Sequence, residues 1–455
     1  MQIALRRIER PAFLIPVDRP LIPPAEYERR ADMLYQAAAV DWVLVYGDRE
    51  HNANLHFVAG FDPRFEEALL ALGPGGQRVL IVGNEGLGYA PLAGLPHDVA
   101  LCQSFSLMGQ PRDAAPRLAD VLRSLGIGAG AQVGVAGWKY LEADETDDPS
   151  EPAFVPAFLL ATLRRIIGAG GAVRDVTPLL MHPTRGLKSH NGAAQIAAYE
   201  WGAARASAAT LRIVGGARPG MTEHEAAALM GYEGDPFSCH MMLAAGKDAI
   251  IGLRSPGTRR LEPGDGITTA VGFWGGLCAR AGLLRDTPDE SFTMRYVLPY
   301  FRAIATWWST LRIGVSGGDI HAAVLAAIGD APFRPALNPG HLTAVDEWTH
   351  SPIRPGSDER IASGMALQCD IIPAPMPDGL ALNCEDSVAV ADATLRAELA
   401  ARYPDVWRRI ESRRALMRDA LGIQLADDVL PLSVAPAWLT PFWLMGETAC
   451  AVAND

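Results

Sequence analysis

From Asn191 to Val214 the chain is rich in alanine and free of proline. Alanine's intrinsic propensity predicts a single long helix there. Gly216 supplies its stop, and the segment from Arg218 to Glu225 starts another helix, with Thr222 and Glu225 spaced as a capping box. Just before the long helix, His182-Pro183 ends the preceding pattern, which sets a domain boundary within Met181 to Gly192. A chain of 455 residues, at roughly 100–200 residues per domain, is expected to hold two domains.

The part before the boundary alternates helix-like and strand-like segments. Tyr27 to Ala39 is expected to be a helix, Trp42 to Tyr46 a strand, Pro116 to Leu125 an amphipathic helix and Gln132 to Val135 a strand. Ala68 to Leu72 and Arg78 to Val82 bracket Gly73-Pro74-Gly75-Gly76 and read as a hairpin. This predicts an α/β domain with a mixed sheet. The acidic segment Glu142 to Pro152 reads as an exposed loop.

Past the long helix, strands are expected at Ser238 to Ala245, Gly266 to Phe273, Met365 to Ile372 and Asp386 to Val390. Helices are expected at Met294 to Ile313, Gly318 to Ile328 and, as one charged element, Thr394 to Leu421. The closing piece, Leu430 to Met445, is rich in Pro, Trp and Leu.

The bulk composition narrows the function. The formal charge is −12, and no basic cluster offers a match to a phosphate backbone, so neither nucleic acid nor an anionic membrane surface is an expected partner. Arginines interrupt the N-terminal MQIALRRIERPAF, leaving no secretory apolar core, and no run reaches the ~18–20 apolar residues of a spanning helix. Six scattered cysteines, none in a CxxC pair, read as reduced thiols in a cytoplasmic protein.

Five short motifs occur in order along the second half. They are Lys188-Ser189 before the long helix with Arg218-Pro219-Gly220-Met221-Thr222-Glu223 after it, Leu261-Glu262-Pro263-Gly264-Asp265, Pro339-Gly340-His341, Ser363-Gly364-Met365-Ala366-Leu367, and Glu385-Asp386. Together they resemble the catalytic domain of the creatinase/aminopeptidase P family. The resemblance implies an α+β fold: an N-terminal α/β creatinase-like domain (1–185), a C-terminal pita-bread domain (186–400), and a helix and apolar tail (401–455) packing on that domain or on a dimer partner. A homodimer is expected, because family members commonly pair and the apolar tail needs covering.

Metal-dependent members of the family hold two divalent ions about 3.5–4 Å apart on two Asp, one His and two Glu, and use them to activate water. Carried onto this chain, the first Asp falls on Ala270, the second on Arg280, the His on His341, and the two Glu on Asp370 and Glu385. An Arg in the ligand shell opposes a divalent ion, since two unit charges ~4 Å apart interact by ~4 kcal/mol at an effective dielectric of 20. Arg280 is therefore expected to stand in for the metal and pair with Asp370, Glu385 or both, with no metal and no cofactor. Creatinase-like members work without metal through a His, but that position here is Leu253. The catalytic candidates are His341, Asp370, Glu385 and Arg280. The candidates for binding a small-molecule substrate are His240, Leu253, Arg254, Glu347, Trp348 and His350.

Three functions fit these residues. One is a metal-independent hydrolase acting on a C–N bond of a small nitrogen-containing molecule. The others are an Xaa-Pro-type metallopeptidase with altered ligands and a non-catalytic pita-bread protein that binds a ligand.

Overall fold

The computed structural model describes every residue except 10, 11, 13, 115, 251, 454 and 455. The chain forms two compact units, 22–188 and 1–21 with 189–455. Residues 1–21 thus lie in the larger unit, not with the α/β domain as the sequence suggests. The physical reason is that Ile3–Arg7 pairs antiparallel with Thr448–Val452 near the other end of the chain.

The smaller unit carries a six-stranded mixed sheet in the order Asp98–Leu101, Gln77–Val82, Ala68–Gly73, Trp42–Gly47, Gln132–Ala136, Ala172–Asp175. The expected hairpin joins Ala68–Gly73 to Gln77–Val82. Its turn needs glycine, because Gly75 and Gly76 have φ of 69° and 79°.

In the larger unit the alanine-rich segment forms one helix, Ala193–Gly216, buried along nearly its whole length. Small side chains let it lie directly on the sheet. At Gly202 an added Cβ would sit 2.1 Å from the Trp274 carbonyl oxygen, so no larger residue fits there. Glu200, fully buried on this helix, accepts hydrogen bonds from Arg409 and Arg413 of helix Pro404–Ala415. The Thr222–Glu225 capping box forms as expected. The single charged helix expected at Thr394–Leu421 is instead two, Ala393–Arg402 and Pro404–Ala415. Pro404 has no N–H to continue the ladder and disfavours helical geometry at Tyr403.

The sheet of this unit is antiparallel, ordered His341–Leu342, Ala366–Cys369, Asn383–Val390, Gly276–Leu283, Gly266–Phe273, Met242–Ala245, with Val429–Pro431 also paired to Asn383–Val390. The strand expected at Ser238–Ala245 is shorter, running only over Met242–Ala245.

The register between two of these strands sorts the charged residues. Ala279 pairs with Glu385 and Arg280 with Cys384. Successive strand residues point to opposite faces, so Arg280 shares a face with Asp386 and not with Glu385. Its Nη2 donates to both Asp386 carboxylate oxygens, at 2.9 and 2.8 Å. The remaining N–H groups reach the carbonyls of Ala279, Glu385, Ala435 and Trp438. The expected pairing of Arg280 with the Asp370 and Glu385 carboxylates therefore does not form. The pleat turns Arg280 to the far face, under the segment 434–443.

That segment is itself covered by the chain. Every residue from 431 to 443 is buried, so the apolar tail gives no reason for a dimer. Asp386 also accepts the N–H of Ala437, a non-glycine residue held at φ 57°.

Replacing Arg280 with Met leaves Asp386 buried and unpaired, so we expect a loss of about 3–5 kcal/mol of stability, read as an earlier urea midpoint. The double variant Arg280→Met/Asp386→Leu is expected to recover most of it, because both charges are then gone.

Candidate active site

The other face of the same strands lines a cavity of about 470 Å³. Ala270 and Ala279 sit opposite one another on adjacent strands. With Met242 and Leu277 they form a small buried apolar cluster. Next to it, Glu385 projects from strand Asn383–Val390 and Asp370 comes directly after strand Ala366–Cys369. His341 opens strand His341–Leu342.

The donor atoms of His341, Asp370 and Glu385 all lie within 4.8 Å of one another. The loop after His341 folds back, because Leu342 and His350 exchange main-chain pairing through the Leu342 N–H, 2.7 Å from the His350 oxygen. That hairpin lays Trp348 flat on the His341 ring, centroids 4.0 Å apart, and sets Glu347 Oε1 3.1 Å from His341 Nε2. Glu385 Oε1 is 3.8 Å from the same nitrogen. His341 is only 1% exposed and lies behind Glu347, Glu385 and Trp348, which line the cavity. It is therefore placed to position these groups.

The electrostatics are set by burial. Burial alone would depress the His341 imidazolium, but Glu347, then Glu385 and Asp370, outweigh it and hold the ring's pKa well above its usual value. Burial pushes Asp370 up to about 7, against the pull of His341. Burial, then the charge of Asp370, push Glu385 well above the carboxylate range. Both acids therefore hold a proton more readily than a solvated carboxyl does. Asp370 Oδ1 and Glu385 Oε1 are both buried without a hydrogen-bond partner. Burial also pushes the Cys239 thiol up to about 12, and those of Cys278 and Cys369 well up, so none is a ready thiolate.

The remaining candidates divide. His240 lines the cavity mouth, its Nε2–H donating to the Leu253 carbonyl at 2.8 Å, and exposed Leu253 lines it too. Arg254 is turned away to Glu223 and Asp248. The Nδ1 of His350 accepts the Ser351 N–H, and its ring lies outside the cavity lining. Residues the sequence does not single out include Ala279, Asn383 and the apolar rim Ile250, Leu337 and Ile372. The Gly264–Asp265 turn before strand Gly266–Phe273 locates the sheet that carries them, but no local signal marks the rim residues.

A two-ion centre does not fit these residues. Ala270 and Ala279 offer no donor atom, and the space beside them is apolar.

No family model matches the sequence, and no curated protein matches it. Solved structures do match. An Xaa-Pro dipeptidase from Bacillus anthracis superposes with a TM-score of 0.61 at 15% identity, covering 82% of this chain and 96% of its own. A prolidase from Thermococcus sibiricus gives 0.64 at 14%, covering 90% and 96%. An X-Pro aminopeptidase from Thermotoga maritima gives 0.62 at 16%, covering 80% and 95%. The chain has the creatinase/aminopeptidase P fold. Its class is α+β, with the pita-bread architecture of those neighbours. No helix among the described residues is long and apolar enough to cross a membrane.

The raised pKa of Asp370 has a sign that can be checked. Folding favours its protonated form, so its contribution to stability is full below the unfolded pKa near 3.9 and is lost as pH rises through about 7. We expect unfolding midpoints to fall over that window, and Asp370→Asn to flatten the fall. An unchanged pH profile in the variant would show that folding leaves the proton affinity of Asp370 unaltered.

Proposed function

We propose that the protein is a metal-independent hydrolase of the creatinase/aminopeptidase P superfamily that cleaves a C–N bond of a small nitrogen-containing molecule. The observation that carries this reading is the Asp370–Glu385 pair, two buried acids at the floor of a largely apolar cavity, with Ala270 and Ala279 beside them. Paired carboxyls whose surroundings hold one protonated and one ionised can serve as acid and base at neutral pH. The ionised carboxyl takes a proton from water as its oxygen bonds to the scissile carbon. The protonated one delivers its proton to the departing nitrogen as the C–N bond breaks. His341 fixes Glu347 and Glu385 in place.

A second reading rests on the three donors His341, Asp370 and Glu385, which are close enough to hold one divalent ion. It describes an Xaa-Pro-type metallopeptidase with an altered ligand set. Three protein ligands with one open position is the pattern of catalytic single-metal sites.

A panel of small amides and N-substituted compounds, assayed with excess EDTA, separates the two. Under the first reading turnover survives EDTA and falls by about 10²–10⁴-fold in Glu385→Gln, the scale of one lost acid–base group. Turnover that vanishes with EDTA and returns with added Mn²⁺ or Zn²⁺ would replace it with the second.

A further inference from the structure

The charge of the cavity wall is one-sided. Three acids face it: Glu347, Asp370 and Glu385. No lysine or arginine occurs among the described residues that line it. The two arginines closest in sequence to its walls are both committed elsewhere, Arg254 to Glu223 and Asp248, and Arg280 to Asp386 on the opposite face of the sheet. The imidazole of His341 is held by Glu347 behind the lining, and His240 at the mouth spends its Nε2–H on a carbonyl.

Two carboxylate oxygens at the floor, Asp370 Oδ1 and Glu385 Oε1, are buried without a hydrogen-bond partner, the second lying 3.8 Å from His341 Nε2. An unpaired buried acceptor costs free energy until a donor reaches it. The rest of the wall is apolar, and its rim is formed by exposed Ile250, Leu253, Leu337 and Ile372.

We infer that the cavity takes an alkyl- or aryl-amine cation that carries no carboxylate. The ammonium N–H groups donate to Asp370 and Glu385, and the apolar body lies against the rim. This rests on the reading of the cavity as the substrate site. It excludes dipeptides and amino acids as good ligands, because a carboxylate entering here would be desolvated beside three acids, and the nearby His341 imidazole is already held by Glu347.

The test is calorimetric titration of the full-length protein at pH 7 in EDTA with hexylamine, hexanol, hexanoate and 6-aminohexanoate. These probes share one chain and differ only in their end groups. We expect hexylamine to bind at least tenfold tighter than each of the other three, and Glu385→Gln to weaken hexylamine by at least tenfold. If that variant does not fold, Asp370→Asn supplies the same comparison. Equal binding of 6-aminohexanoate and hexylamine, or no binding of hexylamine at millimolar concentration, overturns the inference. Turnover is read separately. EDTA-resistant hydrolysis without amine selectivity overturns this inference and leaves the hydrolase reading standing, whereas amine-selective binding without any turnover upholds the inference and sinks the hydrolase.

Discussion

The pairing of strands Gly276–Leu283 and Asn383–Val390 sorts four residues onto two faces, and the rest of the site depends on it. Glu385 and Asp386 are adjacent in sequence, yet the pleat sends one into the cavity and the other beneath the C-terminal segment. The Arg280–Asp386 pair locks this register, because a one-residue slip of strand Gly276–Leu283 would turn Arg280 toward the cavity and away from Asp386. The ion pair is expensive to form in a low dielectric, and it is sustained by the carbonyls of Ala279, Glu385, Ala435 and Trp438 and by the Ala437 N–H. It thus holds the C-terminal segment and the sheet together while contributing no charge to the site.

With that cation removed to the far face, the acids of the cavity must be balanced in another way. The neighbours available are the His341 imidazole and protons. Glu347 and Trp348, delivered by one short hairpin, fix His341 between them. Burial does the rest by raising the proton affinity of Asp370 and Glu385. The floor of the cavity is then half acidic and half apolar, since Ala270 and Ala279 stand beside Met242 and Leu277. This division is what makes the site a receptor for a charged group attached to an apolar body.

Much of this was legible in the sequence. The long alanine-rich helix, the capping box at Thr222, the hairpin at Gly73–Gly76 and the ordered motifs around His341, Asp370 and Glu385 each rest on local chemistry that tertiary contacts left unchanged. The failures have physical causes. In Leu277-Cys278-Ala279-Arg280-Ala281 small residues fill both faces of the strand, so no apolar–polar alternation reveals which residue points inward, and motif spacing alone puts Arg280 in the cavity that Ala279 occupies. Proline at 404 splits a helix that composition alone makes continuous. The union of Ile3–Arg7 with Thr448–Val452 spans nearly the whole chain, and no local pattern encodes a pairing of that range. The rim of the cavity gathers residues from several separate segments, which only the fold brings together.

The central claim is that Ala270 and Ala279, not Arg280, mark the places where metal carboxylates are missing. Restoring them tests it directly. Elemental analysis after equilibration with Mn²⁺ and desalting should find two ions per chain in Ala270→Asp/Ala279→Asp, and none in Ala270→Asp/Arg280→Asp. Two ions in the parent chain, or no gain in the first variant when it is folded, would contradict the account.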